Sequence, residues 1–328
     1  MIRFGIVGAG RMGNAHAGNI HKLKDACVSK IYDIIPEHSQ KLSEKFGGEI
    51  CSSLEELTSS PDVDCVLISS PTYVHQDGVH AAMKSGKAIF CEKPLCRSPE
   101  EAKKLLELVG KYDKPFVPGF VRRHASKTKK LKEIVESGML GKLLYCNVDC
   151  TFGGYVRMPG DFFTDFDLCG GVILDMLAHH VDLANWFFGK AKRVYADSLL
   201  MNKSLPLPAD YAASVVTYEN DVICNLICSW QRFGRSGSTM EIYGEKGGVL
   251  FDDATSKLTV YELGKEPRTI ETDTGPDSNN GLFQEAKAMV DLLEGKEVAV
   301  PTIQDAYDSV AVGFAMIDSV KSGQAVTL

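Results

Sequence analysis

At 328 residues the chain exceeds the size at which one hydrophobic core usually stops growing, so two domains are the default. Its hydrophobic content of 44%, charged content of 24% and net charge of −7 are those of an ordinary globular chain and argue against a nucleic-acid partner, which would call for a basic face. No apolar run approaches the ~20 residues of a membrane span, and the first residues read as a strand rather than a signal peptide.

The first 120 residues alternate strands and helices, the pattern of a parallel sheet with crossover helices. I-R-F-G-I-V-G is a short apolar strand, followed by a helix from Met12 to Leu23. C-V-S-K-I-Y-D is the second strand and Pro36 to Phe46 the next helix. Ser52 or Ser53 ahead of Glu55 and Glu56 supplies a capping pattern. V-D-C-V-L-I-S-S-P reads as a central strand, His75 to Ser85 as a helix, and K-A-I-F-C-E-K-P as a strand stopped by Pro94. A helix from Pro99 to Tyr112 and the strand P-F-V-P-G-F complete the unit.

After Arg122 the pattern changes. A helix near 125–137 carries the basic run K-T-K-K-L-K, read as a solvated face, and ends at Gly138. Longer strands with open alternation follow, among them V-Y-A-D-S-L-L-M, and S-V-V-T-Y and V-I-C-N-L-I-C-S-W about a turn at 219–221. Strands near 239–243, 248–251 and 257–263 and helices near 282–294 and 303–321 close the chain. The expected fold is α/β: an N-terminal doubly wound parallel sheet over 1–121, then an α+β domain over 122–328 with a large, mostly antiparallel open sheet. The helix at 303–321 is a candidate to pack back on the first domain. Ten cysteines show neither C-x-x-C nor zinc-finger spacing, and those at 146, 150, 224 and 228 fall in strands; buried reduced thiols fit a cytoplasmic protein.

Gly8-Ala9-Gly10-Arg11-Met12-Gly13 joins the first strand to the first helix. Gly8 permits the tight turn, Gly10 lets backbone approach a pyrophosphate, and Gly13 lets helix and strand pack closely, while the helix N-terminus offers N–H groups to the anion. Asp33 ends the second strand twenty residues after Gly13, as the dinucleotide fingerprint requires. Its carboxylate would accept from ribose hydroxyls and repel a 2′-phosphate, and Ile34 and Ile35 supply no cation. NAD is therefore favoured, with NADP left open by Arg11 beside the loop.

Glu92 and Lys93 stand at the C-terminal mouth of a parallel strand, where ligands of open α/β sheets bind. In G-G-V-I-L-D-M-L-A-H-H-V-D at 170–182, a helix advancing about 100° per residue sets Asp175, His179 and Asp182 on one stripe. Apolar neighbours nearly all round imply enclosure, where ionisable groups need partners or a task. A His–Asp pair so placed is also a common structural device.

The glycine loop, E-K-P after the fourth strand and G-G-x-x-x-D-x-x-x-H-x-x-D together resemble the Gfo/Idh/MocA oxidoreductases, which include glucose–fructose oxidoreductase and inositol dehydrogenases. The motifs follow the family's order over nearly the whole chain. The resemblance implies Lys93, Asp175 and His179 as the catalytic set, and an open sheet that supports a homodimer or homotetramer. His179 suits general-base work near neutrality, Lys93 would stabilise a developing alkoxide, and Asp175 would orient the imidazole or pair with Lys93. Asp182 would contact a substrate hydroxyl. Ser69, Ser70, Pro71, Thr72 and His75 would line the cofactor path with Glu92 and Arg122, and Arg123 and Arg157 would reach the substrate. Inositol-type members often carry an aromatic residue just before E-I-Y-G-E; here the segment is R-S-G-S at 235–238, which leaves the substrate class as a sugar, cyclitol or related polyol.

Three alternatives accompany this reading. One is an NAD-retaining glycoside hydrolase of the same family, and another a non-enzymatic dinucleotide sensor. In the third, Asp175, His179 and Asp182 ligate a metal; it is set aside, and no metal is expected, because all three share one helix without a ligand from a second segment.

Overall fold

The computed structural model describes residues 1–151, 162–231, 237–255, 257–273 and 275–328. The chain forms two compact units, Met1–His124 with Asn280–Tyr307 and Ala125–Asn279 with Asp308–Leu328.

The first unit runs β1 (Ile2–Val7), α1 (Arg11–Ile20), β2 (Ala26–Tyr32), α2 (Pro36–Phe46), β3 (Glu49–Ile50), α3 (Leu54–Ser59), β4 (Cys65–Ile68), α4 (His75–Lys84), β5 (Ala88–Glu92), α5 (Pro99–Val109) and β6 (Phe116–Gly119). The sheet order is β3-β2-β1-β4-β5-β6 with every pair parallel. Phe4 to Val7, Cys65 to Ile68 and Ala88 to Glu92 are buried throughout, as strands covered on both faces must be. Ser53 caps α3 by accepting from the Glu56 N–H, and Glu56 reaches back to the Ser52 N–H at 2.7 Å. The order reverses direction between β1 and β4, and in doubly wound sheets ligands bind beyond the strand ends at that point.

The second unit contains α6 (Ser126–Glu136), β7 (Leu143–Thr151), α7 (Phe166–Cys169), α8 (Ala178–Phe188), β8 (Ala191–Leu199), β9 (Tyr211–Tyr218), β10 (Ile223–Ser229), β11 (Gly237–Gly244), β12 (Gly247–Asp252), β13 (Lys257–Glu262) and β14 (Arg268–Ile270). The chain ends with α9 (Gly281–Leu293), α10 (Ile303–Ser322) and β15 (Val326–Thr327). Nine strands among the described residues form a sheet ordered β14-β13-β12-β11-β7-β10-β9-β8-β15. It is antiparallel except for β7 and β10, which run parallel and set Cys146 beside Cys224 and Cys150 beside Cys228. Leu131 and Ile134 of α6, Leu177 just ahead of α8, Val181 and Phe187 of α8 and Met316 of α10 share one core with Val148, Leu226 and Ile242 of the sheet. The fold is thus the α/β Rossmann sheet followed by a mixed, mostly antiparallel sheet. The turn at 219–221 lies between β9 and β10, with Asp221 in the left-handed region at φ 67°.

Two expectations change. The segment returning to the first unit is mainly α9, whose Ala286, Met289 and Val290 complete the core of Phe4, Ile6, Ile20 and Leu67. Only the start of the helix at 303–321, to Tyr307, groups with that unit. The basic run on α6 is also not merely solvated. Lys127 pairs with Asp253 at 2.6 Å, and Lys132 donates to the Trp186 carbonyl at 2.6 Å while lying over the indole ring. Long apolar stems let lysines cover a core edge in this way.

Candidate functional site

The glycine loop leaves β1 at Gly8, whose φ of +91° excludes most side chains. A Cβ there would sit 2.5 Å from the Ser70 N, so Gly8 also permits the close approach of the segment after β4. At Gly13 a Cβ would lie 2.1 Å from the Gly8 carbonyl oxygen, which fixes how tightly α1 folds against the turn. Gly10 is different: among the described residues nothing lies within 4 Å of a Cβ built there. That open side adjoins the N-terminus of α1, where Gly10 supplies no capping side chain and the first turn holds no acid. Uncapped N–H groups beside open space suit a pyrophosphate. Arg11 is exposed at the same end and Met12 half-buried.

Asp33 is tied into this loop. Its Oδ2 accepts from the Ala9 N–H at 2.6 Å and its Oδ1 from the Ile35 N–H at 2.8 Å. The Ala9 N–H is therefore spent on Asp33. Each carboxylate oxygen retains a second lone pair for ribose hydroxyls. His38, in the first turn of α2, lies 3.6 Å from Asp33 Oδ2.

Beyond β4, Ser69 Oγ donates to the Gly8 carbonyl at 2.8 Å, locking the two strand-end loops together. Ser70 and Pro71 are half-buried and Thr72 buried. His75 does not line an open path. Its buried ring lies between the Ser70 carbonyl at 2.8 Å and the Pro94 carbonyl at 3.0 Å and donates to one or the other according to its tautomer, and burial holds its pKa below the usual value despite those acceptors. It staples the end of β4 to the E-K-P turn, where the Lys93–Pro94 bond is cis.

Glu92 also faces inward. It is 7% exposed; Oε1 sits 2.7 Å from His16 Nε2, and Oε2 accepts from the Lys93 N–H at 3.1 Å. Its carboxylate is thus occupied inside the unit rather than presented to a dinucleotide, while Lys93, next in sequence, is half-exposed at the strand end. Behind His16 lies Glu285 of α9, with Oε1 3.8 Å from His16 Nδ1. His16, Glu92 and Glu285 are the one trio of potential ligand groups among the described residues whose atoms fall within 4.8 Å of one another. The sequence reading missed His16 and Glu285. The signal for His16 was its place three residues beyond Gly13; Glu285 had none, because only tertiary packing delivers it.

Arg122 is half-buried, whereas Arg123 is 7% exposed and pairs with Asp305 at 2.9 Å, with its guanidinium toward the Phe120 ring. Burial alone would raise the Asp305 carboxyl, but the Arg123 charge and hydrogen bonds from Thr302 hold it below its usual value. Arg123 is therefore a tie within the first unit.

In the second unit, Gly170 and Gly171 both take positive φ, 72° and 66°. Gly170 ends α7 in the left-handed conformation, and a Cβ there would meet Leu174 Cδ1 at 2.3 Å. The helix expected to be regular instead opens with a π turn, Ile173–Leu177, before α8. Such turns recur at functional sites because the wider winding re-aims side chains. Asp175 lies within it and is half-exposed, as is His179 in the first turn of α8. Asp182 is 1% exposed. His180 is buried as well. Arg157 and the first half of R-S-G-S lie outside the described residues.

Residues 2–120 match the family model described as oxidoreductase family, NAD-binding Rossmann fold, and residues 128–250 match the GFO/IDH/MocA C-terminal domain. The myo-inositol 2-dehydrogenase of Thermotoga maritima is 28% identical over 100% of this chain and 98% of its own length. An uncharacterized oxidoreductase of Bacillus subtilis is 31% identical over 79% of this chain and 75% of its own. A solved levoglucosan dehydrogenase in complex with NADH and levoglucosan shares the fold at a TM-score of 0.90, with 22% identity and 99% of both chains covered. The chain belongs to the Gfo/Idh/MocA family and is an NAD-binding oxidoreductase.

Proposed function

We propose that this oxidoreductase transfers a hydride between a secondary hydroxyl of a sugar, cyclitol or related polyol and the nicotinamide of NAD. The observation that carries the reading is the glycine loop, tied to Asp33 and open at Gly10, at the reversal point of the parallel sheet. The names of the relatives, inositol and levoglucosan dehydrogenases, support a polyhydroxylated ring as substrate. Asp33 disfavours a 2′-phosphate and supports NAD over NADP.

In this reading NAD, when bound, takes up or returns the hydride. His179 accepts the hydroxyl proton, a task suited to an imidazole near neutral pH. Lys93 holds the reacting oxygen and stabilises its developing charge. Asp175 orients the imidazole. Arg122 serves the cofactor side, and the solvent face of the nine-stranded sheet, with half-exposed Tyr195, Val215 and Ile223, serves self-association.

The test is NADH formation over a panel that includes myo-inositol and levoglucosan, with Lys93→Ala and His179→Ala alongside. Loss of turnover in both variants with NADH binding retained is the expected result. Turnover unaffected by either substitution refutes the roles, and sugar release without NADH points to the glycoside hydrolase instead.

A further inference from the structure

The first unit encloses a row of ionisable side chains that the chemistry above does not use. His16 is 0% exposed and Glu285 1%, and the His16 ring stands edge-on to Phe90 at 5.2 Å. Neither Glu285 oxygen nor His16 Nδ1 has a hydrogen-bond partner among the described residues, and the two groups face each other at 3.8 Å. Buried polar groups in apolar surroundings are costly and persist where they have a task. The row has a direction. It starts at Glu285 on a helix contributed from far along the chain, passes through His16 to Glu92, and ends at the Lys93 backbone N–H.

We propose that Glu285 and His16 are positioning residues for Lys93, acting through Glu92, whose carboxylate they hold against the Lys93 amide. The inference rests on the reading of Lys93 given above. Fixing the main chain at Lys93 fixes the root of the side chain that must meet the reacting hydroxyl, and small displacements of such groups are costly in rate. Charge is graded along the row. Burial, then the negative charge of Glu92, pushes the Glu285 carboxyl well above the usual range. Burial pushes Glu92 the same way, but the His16 hydrogen bond and charge, with Lys93 and His75 adding, hold it below its usual value. The two carboxyls are thus shifted in opposite directions, with the more acidic one at the Lys93 end.

The test uses the full chain with Glu285→Leu, Glu285→Gln and His16→Phe. Amide hydrogen exchange at Lys93, read at residue level, needs no substrate. We expect exchange about tenfold faster in Glu285→Leu and His16→Phe, with the amides of α1 and β5 unchanged, and Glu285→Gln close to wild type because it keeps a polar end. With an active polyol, kcat per NADH-binding site falls about tenfold or more in the same two variants, while the NADH Kd stays within roughly threefold. Unchanged exchange at Lys93 in both variants overturns the proposal, as does a rise spread evenly over the unit, which marks a purely structural role. If the wild type oxidises no polyol, the proposed reaction fails by itself and the exchange arm still decides the positioning role.

Discussion

The three glycines of the loop make a contrast that one pair of variants resolves. In Gly13→Ala the new methyl would sit 2.1 Å from the Gly8 oxygen. Ordinary C···O contacts are about 3.3 Å or more, so helix and turn must part by roughly 1 Å. Overpacking of this kind costs about 1–3 kcal/mol. In a unit of roughly 150 residues each kcal/mol lowers Tm by about 2–4 °C, giving a loss of about 2–12 °C. Gly10→Ala meets no atom within 4 Å among the described residues, and its φ of −71° lies outside the left-handed region that strains a side chain. Its Tm should stay within about 1 °C, or rise slightly as the unfolded chain loses freedom. Under the proposed reading the methyl instead intrudes where the pyrophosphate would lie, and NADH should bind at least about tenfold more weakly, a loss of some 1.4 kcal/mol. Thermal melts and an NADH fluorescence titration on both variants supply the data. Wild-type NADH affinity in Gly10→Ala, or a Tm loss there as large as in Gly13→Ala, would refute the assignment of that open face to the cofactor.

Asp33→Asn should lower the preference for NADH over NADPH by about tenfold or more, since the like charge facing a 2′-phosphate is removed; the two dissociation constants measure it. Arg123→Ala leaves Asp305 partly buried without its cation and should cost about 1–3 kcal/mol at neutral pH, read by denaturant unfolding, with polyol KM unchanged. Because the Asp305 pKa is depressed in the fold, its contribution is present above the unfolded value near 4 and fades as pH falls through the folded one. Glu285 has the opposite sign. Its raised pKa makes the native state hold a proton that the unfolded chain releases above about pH 4.3, so stability declines as pH rises from there. Glu285→Gln should therefore raise Tm more at pH 8 than at pH 5. Nine of the ten thiols are buried and Cys27 is half-buried; a thiol reagent should label about one equivalent natively and all ten after unfolding.

The parallel sheet was legible because strands covered on both faces become continuous apolar runs, and the glycine loop because each glycine answers a steric need. The π turn at 173–177 was not. Its wider winding leaves the apolar spacing of the sequence nearly helical, and only backbone hydrogen bonds distinguish it. The parallel pairing of β7 with β10 was equally hidden, since alternation reveals which face is buried but not the direction of the neighbouring strand. Arg122 and Arg123 are chemically alike and adjacent, yet one is half-buried and the other sealed against Asp305. The hydrogen bonds that engage His75 and Glu92 inside the first unit, and the burial of Asp182, are set by tertiary packing that proximity to a motif does not reveal.

The core of the first unit closes only when Ala286, Met289 and Val290 arrive on α9. During synthesis, the loop for the cofactor leaves the ribosome almost at once, but the hydrophobic seal beneath it follows some 270 residues later, after eight of the nine strands of the second sheet have been translated. A nascent chain stopped at residue 124 thus exposes Ile20 and its neighbours to water and to chaperones. The module that is made first is among the last to be finished.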